Sequence, residues 1–434
     1  MRTVGAALSA RRNELKAMAT RSHQVVTLAA CTGAATGLFV AGMEWLIVDG
    51  MIDHVMRLRP WLIAILPGIG LFAALLLRRS IDPQATSATA DEYLHAFHDE
   101  HHELRWRPFV ARTLATVATI GSGAPMGLEG PSLYGGATFG DRLQRRFPKT
   151  FQGSDRRVLM VSGAAAAVAA IFKAPATGAV FALEVPYHDD LARRMLLPAL
   201  VAAGTGYLAF VAVNGTEALF PITGSVDFTI RDVLGAAGIG VVAGLGARAF
   251  AKLLRIAKHI ATFRQPILIV AAAGSTIAGT YALGRLLTGE SLMVTSGFNV
   301  VVWAAAPGHS VPLLLAILVL RSLATSAAVA GGGVGGVFIP LVVGGALTGA
   351  IIGNAVQRAD ITMFIVVGVA AFLGAGYRVP LAAVMFVAET TGRPSFIVPG
   401  LFAAVAAELM MGTSSVTKYQ QPANTPIEYR SAQL

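Results

Sequence analysis

The sequence predicts an all-α polytopic membrane fold, and three observations support this. Hydrophobic residues make up 55% of the 434-residue chain, and Asp, Glu, Lys and Arg only 13%, about half of the roughly 25% usual in soluble domains. Mean hydropathy is +0.64. Apolar runs near the ~20 residues that a bilayer crossing requires recur along the chain. They fall at 25–48, 61–77, 195–213, 233–250, 267–287, 311–330 and 396–411, and several others are shorter or broken by glycine.

The first 24 residues carry Arg2, Arg11, Arg12, Lys16 and Arg21 without a continuous apolar stretch. A signal peptide needs an apolar core of about 7–15 residues, so this segment reads as a basic helix on the cytoplasmic side, where Lys and Arg accumulate. Both termini are expected there, with the spans in a plasma membrane of the bacterial inner-membrane type. The net charge of +10 fits basic loops flanking spans better than nucleic-acid binding. The single cysteine, Cys31, lies in an apolar span, where no intrachain disulfide can form, and is expected to pack.

Aligned with itself, the chain shows two halves. Residues 112–140 and 321–349 match without a gap at an offset of 209, pairing Arg112 with Arg321, Thr116 with Thr325, Gly127 with Gly336 and Pro131 with Pro340. At an offset of 205, KAPATGAVFALE (173–184) matches RVPLAAVMFVAE (378–389), pairing Pro175 with Pro380 and Glu184 with Glu389. Chance likeness of Ala/Gly-rich helices accounts for shared glycines but not for paired Arg, Pro, Phe and Glu. The expected organisation is a basic segment 1–24, repeats 25–215 and 216–412, and a tail 413–434. Transporter repeats commonly meet near the bilayer midplane at their substrate site. The alignment alone leaves open whether they run parallel or inverted.

Each repeat sets a glycine–proline turn in an apolar stretch: 127–131 reads GLEGP and 336–340 reads GVFIP. Irregular backbone at membrane depth must be buried in protein or line a watery path. Both turns read as helix starts, since proline is tolerated in a first helical turn. Free N–H groups and the positive dipole end of a helix attract an anion without a full cation. Two such starts, one per half, suit one desolvated anion. Arg112 and Arg321 set a more distant positive field or serve as ion-pair or headgroup contacts. Glu129 is a costly residue in such a turn. Amides that bind an anion also bind its carboxylate, so Glu129 is a candidate gate, a tethered competing anion released on protonation. The alternative role is a buried carboxylate capping a local helix.

Other signals carry less. His95, His98, His101 and His102, with Asp99, Glu100 and Glu103, resemble a metal cluster but read as a solvated segment between spans, and no HExxH pattern accompanies them. No metal site and no cofactor are expected. Trp45, Trp61, Trp106 and Trp303 read as interfacial anchors or packing. Gly-Ser-Gly at 121–123 has no partnered base, and nothing else resembles a catalytic constellation, so the chain is not expected to be an enzyme.

Taken together, GLEGP, GVFIP, RSLAT at 321–325 and the paired glutamates resemble the CLC family of chloride channels and proton/chloride antiporters over roughly residues 25–420. The resemblance implies about eighteen tilted helices in two inverted repeats, and a homodimer with a pore in each subunit. It implies a short member without cytoplasmic regulatory domains. It makes Glu129 the external gate and the backbone around Leu128, Glu129, Gly130, Val337 and Phe338 the anion site. Chloride is the implied anion, and nitrate, bromide or fluoride would suit the same amides.

Three departures stand out. The family's Gly-Ser-Gly-Ile-Pro motif is expected near 84–92, where this chain reads QATSATADE, with Ser87 the stand-in for the coordinating serine and Thr86 and Thr89 the alternatives. The family's central tyrosine is expected near SSVTKYQQP, whose best register puts Thr417 in its place and Tyr419 two residues late. Where many proton-coupled members carry two acids, this chain reads Glu184-Val185-Pro186. Glu184 is a candidate proton relay, with a structural role shared with Glu389 as the other reading. These departures favour channel-like anion conduction with weak or no proton coupling. A proton/chloride antiporter is the alternative, and a membrane enzyme a remote third.

Overall fold

The computed structural model describes residues 2–151, 157–188, 190–217, 219, 230–358 and 360–422, with the side chains of 2–21 and 231 excepted. The side chains of the basic residues up to Arg21, and the tail beyond 422, therefore lie outside the described residues. Among these there are sixteen α-helices of eight residues or more, isolated bridges, and no strand. Eight helices are long and apolar enough to cross a membrane, and the chain is a multi-pass membrane protein. Seven of them overlap the predicted runs. The eighth, Phe338–Ala355, has 78% of its apolar window buried, against 33% for Pro60–Ile81. It is a helix surrounded by protein rather than lipid.

The helices fall into two series. The first is α1 (Arg2–Glu44), the four-residue α2 (Asp53–Met56), α3 (Pro60–Ile81), α4 (Thr89–His98), α5 (Trp106–Gly121), α6 (Glu129–Gln144), α7 (Val158–Phe172), α8 (Pro175–Glu184) and α9 (Leu196–Asn214). The second is α10 (Ile230–Ile260), α11 (Pro266–Thr288), α12 (Phe298–Ala305), α13 (Val311–Ala330), α14 (Phe338–Ala355), α15 (Thr362–Tyr377), α16 (Pro380–Thr391) and α17 (Ile397–Met411). The count is close to the eighteen implied by resemblance. The basic N-terminal stretch is continuous with the first span in α1, and two short connections are 3-10 turns, Arg193–Met195 and Pro394–Phe396.

The series match element by element, because the same local signals recur. Proline opens α3 and α11, and α8 and α16, where its missing N–H leaves no bond unmade. α7 and α15 both stop at a basic residue in the left-handed region, Lys173 at φ 52° and Arg378 at φ 57°. Packing is mirrored too: α1 on α9 and α10 on α17, α6 on α7 and α14 on α15. In the last two crossings glycines meet as mates. Gly136 faces the Gly163 backbone and Gly345 faces that of Gly368, and a methyl group at either position would overlap a carbonyl. Small residues at such crossings let membrane helices approach closely.

Three self-equivalent contacts mark the axis between the halves. Gly68 of α3 touches its mate Gly274 of α11, where an added Cβ at Gly68 would lie 3.1 Å from the Gly274 Cα. Gly127 and Gly336 form an antiparallel bridge. The C-terminal carboxylate of α8 reaches the N-terminus of α16, and that of α16 the N-terminus of α8. Mates that cap each other end to end run antiparallel, so the halves are inverted.

Outward-facing apolar side chains cover the long helices, among them Leu208, Leu286 and Leu409. Trp45, Trp61 and Trp106 are exposed, while Trp303 is buried and stacks on His309 at 3.9 Å. Cys31, expected to pack, is exposed on α1, because its register on that helix points outward.

Candidate functional site

Loops 122–128 and 331–337 bring the starts of α6 and α14 together. Each follows a left-handed glycine at the same repeat position, Gly123 at φ 91° and Gly332 at φ 73°. The Gly127 N–H donates to the Gly336 carbonyl at 3.0 Å and the Gly336 N–H to the Gly127 carbonyl at 2.6 Å. The Thr325 hydroxyl donates to the Pro125 carbonyl, and the Val334 N–H to the Thr119 hydroxyl. These bonds join the two helix starts across the repeat boundary.

Glu129 lies in this junction, 4% exposed. Its Oε1 accepts from the backbone N–H groups of Phe338, at 2.6 Å, and Ile339, at 3.2 Å. The carboxylate of one half thus occupies the helix start of the other, the position an anion would take. Its Oε2 is buried without a hydrogen-bond partner. A side chain at Gly127 or Gly336 would collide with this carboxylate, which is why both positions are glycine. At the mate position of Glu129 stands Phe338.

Below the junction an open cavity of about 340 Å³ forms a vestibule. Its walls come from the loop before α4, the turn 332–337, the end of α15 and the segment 416–419. Half-buried Ser87 lines it, beside Thr86 and Thr89, and so does Val337. Leu128 turns its side chain away, into a cluster with Met43, Ile47 and Ile120. Gly130 lies where α4, α6 and α14 begin: a Cβ there would lie 2.7 Å from the Thr89 Oγ1 and 3.0 Å from the Gly336 Cα. Beside Glu129 is a separate gap of about 10 Å³, lined among others by Glu129, Val185, Phe338 and Tyr377, and it shares Ala90 and Tyr377 with the vestibule. Its volume is the lower limit for one water.

The two arginines have matching partners. Arg112 donates from Nε to the Thr86 carbonyl at 2.9 Å and pairs with Glu92 at 3.2 Å. Arg321 donates to the carbonyls of Leu292, Val294 and Thr295 at 3.0, 3.0 and 2.6 Å. Thr86 and Thr295 are mates, so each arginine fastens the loop that leads into α4 or α12. Glu184 accepts from the Leu381 and Ala382 amides at 3.0 and 2.8 Å. Glu389 accepts from the Ala176 and Thr177 amides at 2.9 and 2.6 Å.

Residues near the expected tyrosine sit at the rim. Tyr419 is 46% exposed and stacks on His95 at 4.6 Å, and the Thr417 hydroxyl pairs with that of Ser415 at 3.0 Å. The histidines, read as a loop segment, divide: His95 and His98 belong to α4, whose amphipathic turn runs through them, and only His101 and His102 lie beyond it. His98 bonds the Pro186 carbonyl at 2.7 Å and His102 the Glu92 carboxylate at 3.0 Å. No group of three metal-ligating side chains is assembled among the described residues.

Sequence reasoning missed two features. One is Asp91, buried, paired with Lys258 at 2.7 Å and accepting from the Lys418 amide at 2.9 Å, which ties α4 to α10 and the last segment. The other is Tyr377, which lines both the vestibule and the inner gap. Its signal was the repeat itself, since Phe172 precedes the first KAP block as Tyr377 precedes RVP.

Comparison with known proteins agrees with this geometry. The family model described as voltage gated chloride channel matches residues 69–412. An uncharacterized protein of Methanocaldococcus jannaschii is 28% identical over 329 residues, 74% of this chain and 78% of that protein. The H(+)/Cl(-) exchange transporter ClcA of Cronobacter sakazakii is 26% identical over 418 residues, 89% of this chain and 86% of that one. Among solved structures, a slow cyanobacterial Cl−/H+ antiporter superposes with a TM-score of 0.78 at 19% identity, covering 89% of this chain and 94% of that chain. A CLC-type fluoride/proton antiporter superposes at 0.76 and 21%, covering 92% and 98%. The structural likenesses establish the fold.

Proposed function

The chain belongs to the voltage gated chloride channel family, the CLC family, and from that premise we propose that it moves chloride through a pathway gated by Glu129, exchanging the anion for protons at that carboxylate. One observation carries this reading: Oε1 of Glu129 rests on the Phe338 and Ile339 amides at the start of α14. A carboxylate and a halide compete for those donors, so an arriving anion and a proton favour the same displaced gate. Competition of that kind is the elementary step of exchange, and the relatives named above that carry a function are exchangers. Backbone around Leu128, Gly130, Val337 and Phe338 supplies the anion donors, with Ser87 at the vestibule. Arg112 and Arg321 add positive field from behind the loops they fasten. As family membership suggests, the protein works as a homodimer with one pathway per subunit, in an inner membrane, with the vestibule and both termini facing the cytoplasm.

A specific observation favours a second reading, channel-like conduction with little proton coupling. Val185 faces the inner gap where an acid would deliver protons, and Glu184 beside it is bound to the α16 amides. Glu184 is the proton relay only if it leaves them. Reconstitution into liposomes under a chloride gradient separates the two. An exchanger drives protons uphill, and its reversal potential shifts with the pH gradient. A channel reverses at the chloride equilibrium potential at every pH. Absence of anion flux in both conditions overturns the assignment.

A further inference from the structure

Phe338, mate of the gate residue, sits in a cage of four rings that are themselves two mated pairs. Phe172 and Tyr377 lie 4.3 and 6.1 Å from it, Phe181 and Phe386 5.6 and 5.1 Å. Packing explains four aromatic rings, but not why one carries a hydroxyl its mate lacks. Tyr377 is 2% exposed, and a buried phenol costs stability unless its O–H is engaged. Its hydroxyl lies against the Val337 backbone amide, and its ring lines the vestibule on one side and the gap under Glu129 on the other. The residue in register with the family's tyrosine, Thr417, pairs with Ser415, and Tyr419, two residues later, stacks on His95; both line the vestibule, and neither lines the gap beside Glu129.

We propose that the Tyr377 hydroxyl receives the anion between the vestibule and Glu129, and so helps to select which anion passes. This rests on the anion-transport reading above. A neutral O–H whose oxygen accepts from an amide N–H is an oriented donor with no full charge, which suits a partly dehydrated monovalent anion that must also leave. The group comes from the end of α15, and the C-terminal segment 416–419 contributes to the vestibule wall but not to the gap beside Glu129.

The test is Tyr377→Phe, which restores the residue found at the mate position and keeps the cage volume. Chloride binding is measured by titration calorimetry on purified protein, and the chloride-to-nitrate flux ratio in liposomes. Loss of one hydrogen bond to an ion is expected to raise the dissociation constant about tenfold or more and to change the flux ratio, with the unfolding midpoint little altered. Wild-type affinity and flux ratio in the variant overturn the proposal, as does a shift produced by Tyr419→Phe and not by Tyr377→Phe. Should the variant fail to fold, bromide anomalous scattering from wild-type crystals decides: a peak touching the Tyr377 oxygen supports the proposal, and bromide elsewhere in the path with none there overturns it. Wild type that carries no anion defeats the functional reading instead, and the two failures are distinguishable.

Discussion

Glu184 and Glu389 are held by equivalent amides, Glu389 with one further bond from the Thr177 hydroxyl at 2.6 Å, whereas Glu129 and Phe338 share no such role. The first pair are repeat mates that cap each other's helices through equivalent amides, offset by 205 residues on both sides. The second pair are also mates, yet one side chain is a carboxyl group and the other a hydrocarbon ring, and the backbone N–H of Phe338 donates to that carboxyl group. Where the halves agree, residues serve as scaffold. Where they differ, the proposed function has a group freed for transport, because a two-fold axis through the junction would otherwise put two carboxylates in the proposed anion site. Like charges at that separation disfavour each other's ionised form.

The most severe way to break this comparison is to remove the odd carboxylate. If Glu129 is the gate, Glu129→Gln weakens its hold on the α14 amides in favour of the anion, since each charge-assisted bond to the carboxylate is worth about 1.5–3 kcal/mol. Flux at neutral pH is expected to rise roughly tenfold or more, to the level wild type reaches in acid. The sign follows from protonation: lowering pH neutralises the wild-type gate and increases flux, whereas the variant is flat across pH. A variant that retains pH-dependent flux in liposomes removes Glu129 from the gate.

The matched pair should respond in the opposite way. Glu184→Gln and Glu389→Gln each weaken two or more bonds to buried amides, at a cost of about 2–4 kcal/mol, read as similar drops in unfolding midpoint in detergent. A Glu184 variant of normal stability that loses proton coupling would make Glu184 a relay and end its equivalence with Glu389. The gentlest probe is Gly136→Ala against Gly345→Ala. Both add a methyl group against a backbone carbonyl, and both are expected to destabilise by about 1–3 kcal/mol. Unequal losses would mean that one crossing is looser than its mate.

Much of this was legible in one dimension. The turn glycines, the turn prolines and the doubled arginines show at fixed offsets because each half repeats the same local chemistry. Phe338–Ala355 escaped as a span because Gly344, Gly345, Gly349 and Gly353 interrupt its apolar run, though in place they let it pack inside the protein. The reach of the repeat to Pro60/Pro266 and Gly68/Gly274 is carried by single residues, too few to register without the contact between α3 and α11. Facing was not legible for Cys31 or His95, since it depends on helical register against neighbours. Tyr377 differs from Phe172 by one oxygen, and only the cage gives that oxygen a direction.

The bridge between Gly127 and Gly336 is the smallest sheet a chain can make, and it is the antiparallel one of two isolated bridges among the described residues. It works as a calliper. Two short hydrogen bonds fix the separation of the helix starts that flank Glu129, so that spacing does not widen while the backbone stays paired. Under the proposed function, passage then depends on side-chain rotation, which occurs in picoseconds to nanoseconds when unhindered, and on the water an ion sheds to enter an opening of constant width.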